Sequence, residues 1–338
     1  MYAHALRMGK ELNRLGNSVS GQHTALRLVA RTVKGLWAVE AGVAGALDTL
    51  GRRLRPERAS ARGRSLLRRL GPRLRKTAVI RRNLEIAFPE KDVLEIAALV
   101  RDVWGNMGSV LAEYGHLETI CHREAEQRLE ILRQADFDVF KPDGPPAIFV
   151  AAHLANWEIA PGAVVELGVP LTGIYTPLTN PRLDRLLYRA RERLGCGMVE
   201  REGAVRHLVA ALRNGVSVGL IVDQRVDAGA PVPFFGHAMN SSITPAQLAL
   251  RFDCELIPVQ VQRLESARFR VIFHAPVQPD HAVVDDRERV LQMTARLNTL
   301  FEGWIRERPG EWWCAKRRWA KQLYRDHHER TSAGIDCG

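Results

Sequence analysis

The stretch AIFVAAHLANWEIA, residues 147–160, decides how the rest of the chain is read. It opens on six uncharged small or apolar residues, AIFVAA at 147–152, the pattern of a strand buried on both faces. A turn signal, Pro142-Asp143-Gly144-Pro145-Pro146, bounds it upstream. His153 follows the strand at once, and a helix is predicted over 157–167. A strand covered on both faces needs helices above and below, so this unit argues for an α/β sheet with parallel neighbours.

The same alternation continues downstream. Strands are predicted at 171–175, 217–222, 255–262 and 269–274, and helices at 181–194, 203–213, 245–252 and 286–307. Upstream, 83–140 reads as helical. After Pro89, apolar residues recur three and four apart in VLEIAALVRDVWGNMGSVLAEY, residues 93–114. The expected fold class is mixed α/β: a largely parallel central sheet flanked by helices, with a helical N-terminal region. Three parts are expected. Residues 1–82 form a helical, Arg-rich, membrane-associating region. Residues 83–325 form the α/β domain, with 83–140 as its lead-in. Residues 326–338 form a disordered tail.

Charge is placed as unevenly as hydropathy. The 338 residues are 46% hydrophobic, enough to bury a sizeable core. The net charge is +11, and Arg52 to Arg82 alone carries thirteen Lys or Arg against one acid, Glu57. Such a segment attracts phosphates, on anionic lipid or on nucleic acid, unless it is a solvated basic linker. Before it lies LWAVEAGVAGALDTL, residues 36–50. Glu40 and Asp48 interrupt it, and it is shorter than the roughly 20 residues a span needs. It predicts an interfacial amphipathic helix or a core-packing one. No secretory signal is read at the N-terminus. Near the other end, EWWCAKRRWAK at 311–321 interleaves Trp with basic residues, as a membrane interface or nucleic-acid surface would. Cysteines at 121, 196, 254, 314 and 337 are odd in number and lack C-x-x-C spacing. That argues against a zinc or redox motif and fits a reducing compartment.

His153 stands where α/β sheets bind ligands, at a strand's carboxyl end. Glu158, five positions on, can reach one imidazole nitrogen across the turn and fix the tautomer. The other nitrogen would then take a proton from a substrate hydroxyl. The residues alone leave a satisfied core histidine as the alternative. A second histidine–acid pair at this spacing, His281 and Asp286, follows a proline-containing loop and reads as surface. Asp223 and Gln224 follow the predicted strand 217–222 and share the strand-end position, though a cap or turn role is open to them. Phe234 and Phe235 read as an apolar wall or a loop packed on the core. Arg191, beside Arg189 and Arg193, and Arg201, heading REGAVRHL, are by themselves ordinary surface cations. Backbone amides around Asn156 and Trp157, at the helix start, could stabilise an oxyanion. The G-x-S-x-G spacing occurs once, GVSVG at 215–219, but it leads into the predicted strand 217–222 instead of following a strand into a helix, which argues against that class of esterase.

In order along the chain come RRNLEIAFPE (81–90), HLANWE (153–158), YTPLTNP (175–181), the helix around Arg191, EREGAVRHLVAALRNG (200–215), VDQ (222–224), VPFFG (232–236) and TPAQLAL (244–250). This series resembles the bacterial lipid A biosynthesis acyltransferases of the lauroyl/myristoyl type, within the wider lysophospholipid acyltransferase superfamily. The likeness runs from about Ile80 to Lys321. It implies a glycerolipid-acyltransferase-like fold, with His153 and Glu158 as catalytic pair. Arg191 would bind substrate phosphate or the oxyanion. Asp223 would be the acid of the Asp-Gln motif. Gln224, Arg201 and Asn156 join the expected substrate and oxyanion site, and Trp157, Phe234 and Phe235 the acyl pocket. The implied reaction moves a fatty acyl group from acyl carrier protein, or from coenzyme A, to a hydroxyl of a lipid A precursor or related glycolipid. No metal or further cofactor is implied. The implied partners are acyl carrier protein, an anionic membrane surface and the glycolipid acceptor, with no nucleic acid. The implied location is the cytoplasmic face of the bacterial inner membrane, with peripheral or interfacial anchoring. A phosphatidylinositol mannoside, an ornithine lipid or a pigment is an alternative acceptor. A non-catalytic membrane- or nucleic-acid-binding protein is the alternative of another class. Two departures stand out: Lys316 replaces the family's usual histidine in the carboxyl-terminal Trp/Arg motif, and Glu40 and Asp48 weaken its N-terminal anchor.

Overall fold

The computed structural model describes residues 35–325 apart from 36, 39, 43, 47 and 266. The expected tail, 326–338, and residues 1–34 of the N-terminal region lie outside the described residues. The centre is a seven-stranded sheet in the order β1-β9-β8-β2-β5-β3-β4. Its strands are β1 (Leu129–Arg133), β2 (Ile148–Ala151), β3 (Leu171–Tyr175), β4 (Gly197–Glu200), β5 (Ser217–Ile221), β8 (Leu256–Arg263) and β9 (Phe269–Phe273). All neighbours run parallel except β8 and β9, which form an antiparallel pair. Every residue of β2 is buried, as a central strand of a doubly covered sheet requires. One face packs through Ile148, Val150, Val218 and Leu220, the other through Phe149, Ala151, Val259 and Phe273.

The helices are α1 (Pro56–Leu70), α2 (Thr77–Ala87), α3 (Val93–Glu113), α4 (Ala125–Arg128), α5 (Ile159–Glu166), α6 (Pro181–Glu192), α7 (Ala204–Arg213), α8 (Thr244–Phe252) and α9 (Asp286–Glu307). Their starts are written in the sequence. Asp92 caps α3 by accepting from the amides of Leu94 and Glu95, both at 2.8 Å, while Glu95 accepts from the Asp92 amide at 2.9 Å. Asn180 caps α6 and Pro181 opens it. The Arg-rich α1 is no detached linker. It crosses α3 so closely that a Cβ on Gly63 would stand 2.2 Å from the carbonyl oxygen of Gly108. The described residues of 35–52 are helical, and the acids that interrupt their apolar pattern have partners. Glu40 accepts from the Asn180 side chain at 3.0 Å, and Asp48 pairs with Arg52 at 2.7 Å.

Two features depart from the sequence reading. Strand β1 interrupts the lead-in expected to be helical, and β4 lies where no strand was expected. Both are edge strands with charged or half-exposed residues, so no apolar run marks them. The segment around Phe234, expected as a loop, is a hairpin of β6 (Ala230–Phe234) and β7 (His237–Ser241). Its two-residue turn, Phe235 and Gly236, has φ of +50° and +72°. Positive φ at both central residues matches strand twist in a tight hairpin.

Candidate active site

β2 and β5 lie side by side in register, with Ala151 opposite Ile221. Two residues beyond that pair on each strand stand His153 and Asp223, so the sheet ladder itself brings them together. The Asp223 carboxylate meets His153 twice: Oδ1 accepts from the backbone amide at 3.1 Å and lies 2.5 Å from Nδ1. With Nδ1–H donating there, Nε2 keeps its lone pair. The Gln224 side-chain amide lies 3.0 Å from Nε2 and donates to it. Trp157 meets the imidazole edge-on, with centroids 5.1 Å apart.

The expected pairing of His153 with Glu158 is therefore not the one found. Glu158 turns to the other side of its helix start. Arg191 donates to it through Nε at 2.8 Å and Nη2 at 2.5 Å, Tyr114 through its hydroxyl at 2.6 Å, and Trp157 through Nε1 at 3.1 Å. These four donors saturate the carboxylate. Burial pushes Glu158 up, but the guanidinium outweighs it and holds the carboxyl below its ordinary range. Asp223 behaves alike. Burial opposes its charge, while His153 and Arg318, with the Trp312 indole, hold it well below the usual carboxylate range.

The second oxygen of Asp223 is held by residues of a segment read from sequence as a membrane interface or a nucleic-acid surface. Trp312 Nε1 and Arg318 Nη2 each donate to Oδ2 at 3.0 Å. Trp312, Arg318 and Trp319 are fully or almost fully buried, which removes them from any interface role. Trp312 lies between Phe235, stacked at 5.9 Å, and the guanidinium of Arg318 at 5.2 Å. Its segment also bonds the loop of His153: the Trp313 amide donates to the His153 carbonyl at 2.8 Å, and the Ala155 amide to the Glu311 carbonyl at 3.1 Å.

A cavity of about 490 Å³ opens at this point. His153, Trp157, Glu158, Arg191, Arg201, Gln224 and Lys316 all reach it. Four expected residues do not, the fully buried Asp223 among them. Phe234 and Phe235 are buried against Trp312, so they brace the support of Asp223 and do not line this cavity. Asn156 is fully buried; its amide donates to Glu113 at 2.8 Å and its oxygen accepts from the Glu158 amide at 3.2 Å. That side chain is sealed away from the cavity. Instead it joins a buried network in which Glu113 also binds Arg263 through both oxygens and accepts from Ser60 at 2.6 Å. Asn106, in turn, donates to the carbonyl of Ala155 at 2.8 Å, holding that residue at φ +48°. A non-glycine residue there marks strain maintained by its surroundings.

Lys316 and Arg201 stand at the mouth. Burial and the neighbouring charges of Arg201, Arg318 and Lys76 draw the Lys316 ammonium below the ordinary lysine range, the mark of a cationic cluster. Cys196, in the cavity wall, has its thiol pushed up to about 12 by burial. It holds almost no thiolate at neutral pH and is a poor nucleophile.

Compared with known proteins, the sequence matches the bacterial lipid A biosynthesis acyltransferase family over residues 24–321. The chain belongs to that family. A Haemophilus influenzae lipid A biosynthesis acyltransferase is 24% identical over 235 residues, 68% of this chain and 72% of the relative. The Escherichia coli lipid A biosynthesis palmitoleoyltransferase is 22% identical over 250 residues, 72% of this chain and 78% of the relative. A phosphatidylinositol mannoside acyltransferase of Mycolicibacterium smegmatis is 25% identical over 187 residues, 53% and 61% respectively. In this acyltransferase, sequence reasoning placed His153, Asp223 and Gln224 correctly at strand ends. It missed Tyr114, Trp312 and Arg318. The in-register ends of two predicted strands were the available signal for His153 with Asp223. No local pattern ties Arg318 to a carboxylate 95 residues away.

Proposed function

We propose that the protein transfers a fatty acyl group from an acyl thioester, on acyl carrier protein or coenzyme A, to a hydroxyl of a lipid A precursor or related glycolipid. The observation that carries this is the His153–Asp223 pair at the mouth of a largely apolar cavity. Asp223 fixes the tautomer, and Nε2 takes the proton of the acceptor hydroxyl as that hydroxyl displaces the Gln224 amide. The oxygen attacks the thioester carbonyl. The remaining edge of Arg191, positioned by Glu158, stabilises the tetrahedral oxyanion. The C–S bond then breaks, and the thiolate leaves with the proton from the imidazolium, whose charge Asp223 has balanced. Glu158 thus acts through Arg191 in this reading.

The Lys316–Arg201 cluster favours an acceptor that bears phosphate. Among the described residues no helix is long and apolar enough to cross a membrane. The proposed site of action is the cytoplasmic face of the inner membrane, with peripheral attachment. Supporting it, Leu66, Leu70 and Leu74 are about half exposed on and after α1, amid its arginines, a combination suited to anionic lipid. The same cations suit the acidic acyl carrier protein. The Mycolicibacterium relative supports a second acceptor, a phosphatidylinositol mannoside.

The test is an assay with purified full-length protein, offering acyl-carrier-protein and coenzyme A donors against both acceptors, with products weighed by mass spectrometry. Acylated lipid A precursor is the expected product. Acylation of the mannoside alone selects the second reading. No thioester consumed with any acceptor defeats both.

A further inference from the structure

The floor of the cavity carries an unusual row. β2, β5, β3 and β4 are in register so that Phe149 pairs with Gly219, Gly219 with Gly173, and Gly173 with Met198. Residues paired across parallel strands project on one face. Here that face packs under α5, which gives Ala160, Pro161 and Val164 to the same cavity. Two adjacent strands therefore offer no side chain at this level, and a trough runs between Phe149 and Met198. Its upper end opens at His153, four residues above Phe149 on β2, about 13 Å along the strand.

Neither glycine is required by the backbone or by crowding. Neither has positive φ. A Cβ on Gly219 would stand 3.6 Å from the Leu171 methyls, and one on Gly173 would stand 3.5 Å from Met198 Sδ and 3.6 Å from Cys196 Sγ. These are ordinary contacts. Glycine inside a strand weakens it and often marks a place where a ligand comes close. Space kept bare at a cost to the sheet, continuous with the reacting imidazole and walled by apolar groups, suits a methylene chain.

We infer that Gly219 and Gly173 form the bed of the donor's acyl chain, and that Leu171 and Met198 set where that chain must end. The inference rests on the acyl-transfer reading and adds to it the residues that select chain length. The occupant is a fatty acyl chain, matched to the apolar side chains that wall the trough.

The experiment compares full-length wild type with Gly219→Val, Gly173→Val and Leu171→Ala. Transfer is measured from acyl-carrier-protein donors of graded length. Separately, free fatty acids of graded length displace a fluorescent fatty acid from the same proteins. Each valine is expected to lower the long-to-short transfer ratio at least about tenfold, because a pocket discriminates that strongly per excluded methylene. Valine should also shorten the longest fatty acid bound and leave Tm unchanged or raised. Leu171→Ala should move both preferences toward longer chains. Unchanged length profiles in transfer and binding would overturn the inference, as would valine variants that lose Tm and all donors alike. A wild type that moves no acyl group defeats the acyl-transfer reading instead, and the fatty-acid ceiling still decides the role of the row.

Discussion

Asp223 and Glu158 are both sealed from solvent, at 0% and 5% exposure, and both are held ionised by cations. They differ in what they hold. Asp223 grips an imidazole, a group whose charge changes during proton transfer. Glu158 grips a guanidinium, whose charge does not change. They differ also in how the chain brings partners together. Asp223 meets His153 because two strands pair in register, whereas Glu158 meets Arg191 because helix α6 packs beside the start of α5. The difference teaches that proximity in sequence to a histidine is a weaker guide than position on paired strands. It also separates a carboxylate suited to proton chemistry from one suited to holding a fixed charge in place.

The largest expected effect breaks the first member. His153→Ala should lower kcat/KM by about 10³-fold or more, and Asp223→Asn by about 10²- to 10⁴-fold, with circular dichroism confirming the fold. The double variant should be little worse than either alone, since residues acting as a unit are not additive. Fully additive losses would mean that the two act apart. Next, Arg191→Met leaves Glu158 charged, buried and short of its cation. A loss of about 3–5 kcal/mol in denaturant unfolding is expected, and Arg191→Lys should restore little, lacking the two-pronged geometry. A stable Arg191→Met protein that lost only activity would show that the guanidinium serves substrate alone.

The third prediction concerns acid. Both carboxyls have folded values depressed below their unfolded ones. Their stabilisation is therefore fully present above the ordinary carboxylate range, about pH 4, and is lost as pH falls through the folded values. Stability should not respond to these two groups across neutral pH. Below about pH 4, replacing one of them, as in Glu158→Gln, should flatten the slope of unfolding free energy against pH by at most about 1.4 kcal/mol per pH unit. An undiminished slope in both Glu158→Gln and Asp223→Asn would assign the acid response elsewhere. The smallest effect lies between the two cages. Ala155→Gly relieves a left-handed backbone and should raise stability by about 1 kcal/mol, with Ala155→Val costing more than that. Thermal unfolding of the pair measures it.

Much of this was open to inspection in the chain. Strands β2, β3, β5, β8 and β9 and helices α5 to α9 follow from apolar runs and helical periods, because each buries a face. Strands β1 and β4 do not, since half-exposed edges such as LEILR carry charges at positions a central strand would fill with apolar residues. Asp223 and Gln224 could be placed at a strand end, but strand order is a tertiary fact, and only the adjacency of β2 and β5 makes Asp223 the partner of His153. The segment 311–321 misled for a related reason. Trp beside Arg reads as interface when solvent is assumed outside it, yet burial with a carboxylate turns the same composition into scaffold. Phe234 and Phe235 likewise announced apolar surroundings without saying which side of the sheet supplied them.

The segment from Glu311 to Trp319 is among the last parts of the described chain to leave the ribosome, while the strands bearing His153 and Asp223 emerge far earlier. Until Trp312 and Arg318 arrive, the nascent Asp223 carboxylate lacks two of its donors. The centre therefore comes together only after the segment 311–319 has followed its strands out. A chain cut short ahead of Trp312 would carry every residue of the proton-transfer pair and still lack the clamp that holds it.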